Sequence, residues 1–69
     1  MNLKVDALAT RYLADKAEAL SNIENYIRNS AGIGEHPNII EELDKLVDQW
    51  TTANDKYEAL KQIMDNLKN

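Results

Sequence analysis

The chain has no cysteine and no phenylalanine, and it holds only one histidine, one proline, one tryptophan and two glycines in 69 residues. Without cysteine there is neither a disulfide framework nor a thiolate metal site to reinforce the core. With His36 as the single imidazole, most zinc chemistry is excluded too. Basic residues are also scarce. Eight Lys and Arg stand against twelve Asp and Glu, a net charge of −4, and the basic ones are scattered from Lys4 to Lys68. Neutralising DNA phosphates takes a basic face, so direct duplex binding is not expected. No run approaches the roughly 18 apolar residues needed to cross a bilayer. The opening residues Met1 to Asp6 lack the basic segment and apolar stretch of a signal peptide. The expectation is a cytoplasmic product that needs no membrane.

What is present is periodicity. Ile39, Leu43, Leu46, Trp50, Ala53, Tyr57, Leu60, Met64 and Leu67 step by four and three without interruption. That average of 3.5 residues keeps one seam of an α-helix turned toward a partner helix. The first half carries a broader stripe: Val5, Leu8, Ala9, Tyr12, Leu13, Ala19, Leu20, Ile23, Tyr26 and Ile27. Between the halves lies the one break, residues 30–38, with both glycines and the proline. Gly32 suits a helix-closing position and Pro37 a first helical turn. Alternatively Asn38 caps the second helix, with Glu41 completing a capping box.

These signals predict an all-α fold, an antiparallel two-helix hairpin of coiled-coil type. It is one domain over residues 1–69, with helices at about 3–30 and 38–67 and a turn at 31–37. Thr51 to Asp55 are poor helix formers and would divide the second helix if propensity alone decided. The unbroken 4-3 spacing through them favours a continuous helix. Folding the chain about Gly34 pairs residues whose numbers sum to roughly 66, which sets Lys16 opposite Trp50. Two readings follow for that pair: a cation–π contact at a partner site, or lysine methylenes covering the indole while the ammonium reaches water. Glu24–Arg28 and Glu41–Lys45 are the expected ion pairs.

No catalytic constellation is found. His36 has only Ser21 and Ser30 as candidate nucleophilic partners, both in the first helix. Asp44 and Asp48, with Glu41, Asp55, Glu58 and Asp65, form a ridge that reads as a solvated face rather than a convergent cation cage. Gly32 and Gly34 lack the lysine and helix context of a phosphate loop. No catalytic, cofactor or metal residue is assigned, and no small-molecule ligand is evident. His36, in the turn, reads as a recognition element or as part of the cap of the second helix.

A two-helix hairpin leaves apolar surface uncovered. Leu13, Leu20 and Ile27 flank the first seam, while Ile40 and Val47 flank the second. A small scaffold without disulfides or metal meets such a deficit by oligomerising or docking. These five residues are therefore the expected partner contact, in a homodimer that forms a four-helix bundle or on another protein; the alternative is a marginal monomer.

The segment Gly32-Ile33-Gly34-Glu35-His36-Pro37-Asn38-Ile39-Ile40 resembles the central turn of short helical proteins from large tailed bacteriophages. Those share the plan of an Ala-rich first helix, a Gly-x-Gly-Glu-His-Pro turn and an acidic second helix. The resemblance implies no activity for any residue. It implies a phage product made in a bacterial cytoplasm, with an accessory role beside replication or recombination enzymes as an associated expectation.

Overall fold

In a computed structural model, which describes residues 2–29 and 38–68, the chain forms two helices, α1 (Leu3–Asn29) and α2 (Ile39–Lys68). They pack side by side in opposite directions, the start of α1 against the end of α2: Val5 and Met64 line one groove at that end. The molecule is a rod of 54 × 16 × 13 Å. Its radius of gyration is 16.0 Å, against about 11 Å for a compact chain of this length. The antiparallel hairpin expected from the sequence is the observed architecture. Gly32, Gly34, His36 and Pro37, with the whole expected turn, lie outside the described residues.

α1 begins at Asn2. The Asn2 side-chain oxygen accepts hydrogen bonds from the backbone N–H of Lys4 (2.9 Å) and Val5 (3.3 Å). Its carbonyl accepts the Asp6 N–H at 3.0 Å. Two amides that the first turn would leave bare are satisfied by one side chain. At the other end, the Asn29 side-chain amide donates to the Asn25 carbonyl at 3.0 Å. At the start of α2 the Asn38 backbone carbonyl accepts the Glu42 N–H at 2.9 Å. Thr51 to Asp55 are helical throughout. Packing decides there, because Ala53, in the middle of that weak patch, is one of the buried residues of the seam.

The side chains turned inward on α1 are Val5, Ala9, Tyr12, Lys16, Ala19, Ile23 and Tyr26. Their steps are four and three, the same repeat as on α2. Each helix therefore contributes a and d residues of a heptad seam, d at Val5, Tyr12, Ala19 and Tyr26 and at Ile39, Leu46, Ala53 and Leu60. Only Ala19 (3% exposed) and Ala53 (5%) are buried among the described residues. A small side chain on each helix lets the two backbones approach closely, while the larger seam residues are half-buried because no third layer covers them.

Two expectations need correcting. Leu67 continues the 4-3 spacing but is 73% exposed. The expected second helix is otherwise inward-facing from Ile39 to Met64, and Leu67 fails because α1 offers nothing beyond its first residues to cover it. Lys45 pairs with Glu42 at 3.5 Å rather than with Glu41; lysine reaches i−3 as readily as i−4 on a helix surface. Glu24–Arg28 forms as expected at 3.8 Å, and Lys61–Glu58 adds a third pair at 3.4 Å. All are solvent-exposed and contribute little to stability.

Candidate interaction face

Seam position decides what each flank of the rod presents. Leu13, Leu20 and Ile27 each follow a d residue of α1, and Ile40 and Val47 each follow a d residue of α2. All five are e positions. When a second helix runs backwards beside the first, e meets e on one broad face of the pair and g meets g on the other. The groove on the g side bears this out: Asp15 of α1 lines it together with Gln49 and Lys56 of α2, all three g residues.

The two faces therefore differ in kind. On the g face lie Asp15, Asn22, Glu42, Gln49 and Lys56, with Leu8 and Ile63 only toward the end remote from residues 29 and 38. On the e face, in the half nearest those residues, Ile27 lies level with Ile40 and Leu20 with Val47; Leu13 follows on α1. Their exposure runs from 45% at Leu13 to 77% at Ile40. Further along, Asp6, Asn54, Lys61 and Lys68 take over the e positions. The five residues singled out from sequence thus form one surface rather than two separate flanks.

Lys16 and Trp50, both a residues, border this face. The Lys16 ammonium stands 5.0 Å from the centre of the Trp50 ring, within cation–π range. The contact expected from the register is therefore made. Both residues are partly exposed, so the lysine stem lies along the seam and its charge keeps contact with water. Two further pairs were not foreseen: Lys56 over Tyr12 at 5.9 Å and Lys61 over Tyr57 at 5.2 Å. The second follows from i,i+4 spacing on one helix, a signal present in the sequence. The first depends on interhelical register, which spacing alone leaves loose by a residue or two.

The remaining surface offers little to a small ligand. The grooves are open to solvent rather than enclosed: one of about 450 Å³ runs along the polar residues Asp55, Glu58, Lys61 and Asp65 of α2 alone, and the apolar one between Val5, Ala9, Tyr57, Leu60 and Met64 holds about 240 Å³. Among the described residues no three His, Cys, Asp or Glu side chains converge to hold a metal ion, the acidic ridge of α2 included. No described helix is long and apolar enough to cross a membrane. No protein-family model, curated protein or solved structure matches the chain.

Proposed function

We propose that the protein is a small, non-enzymatic interaction module, phage-encoded as its turn suggests, that works by presenting one apolar face of a helical hairpin to a protein surface. The observation that carries this reading is the segregation of Leu13, Leu20, Ile27, Ile40 and Val47 onto one broad face, while the opposite face is polar over the same stretch and carries only Leu8 and Ile63 toward its far end. Scattered exposed leucines are ordinary on any protein; a contiguous row on one side marks a contact surface. The non-enzymatic part rests on the residue inventory, which offers one histidine, no cysteine and no positioned nucleophile.

The test is a comparison of what the immobilised chain captures from a lysate of its native host, before and after Leu20→Glu and Val47→Glu. Circular dichroism of the same variants reports whether the helices persist. Loss of captured proteins with helicity retained supports the reading. An unchanged captured set from the variants would overturn it.

A further inference from the structure

The chain exposes far more surface than its mass requires. Its accessible area is 5596 Å², about 1,200 Å² more than the roughly 4,400 Å² that a compact 7.8 kDa protein exposes. A standard interface removes about 800 Å² from each partner. The excess is thus of the size that one side-by-side contact would remove. The apolar part of the e face is confined to the half of the rod near Asn29 and Asn38.

We propose, deepening the interaction reading above, that a second copy of this chain covers the e face. The two rods form a four-helix bundle about a two-fold axis parallel to their length, with both Asn29/Asn38 ends together. Four features select this occupant and this polarity. First, the face matches itself: the two layers nearest Asn29 and Asn38 each pair one α1 and one α2 residue of similar bulk, Ile27 with Ile40 and Leu20 with Val47, before Leu13 meets Asn54 at the edge of the patch. Rotation about the axis sets α1 of one copy over α2 of the other at the same level, so the same bulky residues meet again. Second, the repeats agree. All the helices carry the 3.5-residue period, so their side chains interlock along the whole contact without drifting out of phase.

Third, this polarity alone matches the apolar halves while the rods overlap along their whole length. Rods with opposite ends together would set like helix over like helix, laying Ile27 and Ile40 against the charged e residues Asp6 and Lys61 and Val47 against Asn54, or would slide apart and lose contact elsewhere. It also makes every neighbouring pair of helices antiparallel, which suits the helix dipoles. Fourth, the charge is in the right place. The chain carries −4, yet the f residues Glu41, Asp48 and Asp55 are exposed on the side of α2 away from the seam. At the rim, Glu24 comes level with Asp44 of the second copy, and Arg28, already 3.8 Å from Glu24, supplies the cation there.

Sedimentation equilibrium of the full chain is the first test. The expected mass is twice 7.8 kDa, falling toward the monomer only on strong dilution, with a melting temperature that rises with concentration. Because the sequence lacks cysteine, Asn29→Cys accepts a single spin label per chain. In the proposed dimer the two labels stand about 20–30 Å apart, given helix spacings of 8–10 Å plus the label arms. A separation near the 54 Å length of the rod overturns the shared-end arrangement, and a wild-type chain that stays monomeric at high concentration overturns the dimer. Leu20→Glu should abolish the doubled mass, whereas Leu8→Glu on the opposite face should leave it; should the former unfold the chain, the wild-type mass and label distance still decide. A helical monomer whose capture of host proteins still depends on Leu20 and Val47 sinks the second copy and leaves the interaction module standing. A monomer with capture indifferent to both removes each.

Discussion

The Lys16 ammonium lies 5.0 Å from the centre of the Trp50 ring, at the middle of the rod, where both side chains occupy a positions of opposing helices. A charge at the midpoint of an apolar seam weakens it relative to a hydrophobe but marks the register, because a slip by one turn would leave the ammonium without its aromatic neighbour. In a double-mutant cycle of Lys16→Met and Trp50→Leu, the coupling energy should be about 0.5–1 kcal/mol, the size of a partly exposed cation–π contact. Urea unfolding of the four species measures it. A coupling of zero would reduce Lys16 to a stem covering the indole.

Ala19 and Ala53 are the most buried described residues of the seam, at 3% and 5% exposure. Enlarging either one forces the backbones apart. Ala53→Leu should destabilise by about 1–3 kcal/mol despite adding apolar surface, as overpacking does. Ala7→Leu, on the exposed outer side of α1, should change stability by less than about 0.5 kcal/mol. Thermal denaturation of both variants at one protein concentration makes the comparison.

The seam on α2 was readable from spacing because a helix that packs along one line needs apolar residues at 3.5-residue intervals and nowhere else. Spacing cannot say where the partner ends, and that is why Leu67 looks like a seam residue but is not one. On α1 the periodic stripe is broader than a seam, and spacing already set Leu13, Leu20 and Ile27 at its flank and Lys16 opposite Trp50. Leu8 is the residue it left undivided, apolar but outside the seam. That the flanking residues of both helices share a face follows only once chain direction and register are known. The Asn2 cap was visible in principle, as an asparagine directly before a periodic run.

Asn2→Ala tests that cap. Two backbone amides lose their acceptor, and the cost should be about 1 kcal/mol, the usual size for an N-cap. Hydrogen exchange should show the loss concentrated at Lys4 and Val5, with the protection of α2 lowered only by the global change in stability.

Leu46 and Leu67 share the same repeat but differ in burial. Leu46→Ala removes a seam side chain, and truncations of this kind cost about 2–5 kcal/mol when burial is complete. Because Leu46 is only partly buried, the lower end applies, which is still a large share of the stability of so small a domain. Leu67→Ala, at 73% exposure, should be close to neutral. Equal effects from the two would mean that the end of α2 is covered by something the isolated rod lacks.

A nucleic-acid role makes a different demand on the same molecule. Single-stranded DNA binding rests on cations free to meet phosphates and on aromatic faces free to stack against bases. Here Lys16, Lys56 and Lys61 stand over Trp50, Tyr12 and Tyr57 of the chain itself, so three of the eight basic residues and three of the four aromatic ones are already engaged with each other. The acidic balance of −4 opposes the approach of a polyanion as well. Titration with single-stranded DNA at low salt, where phosphate contacts are strongest, should therefore leave Trp50 fluorescence unchanged. A salt-sensitive change in that signal would show that the lysine–aromatic pairs open to admit a strand, and any work beside DNA enzymes would then be direct rather than mediated by protein contact.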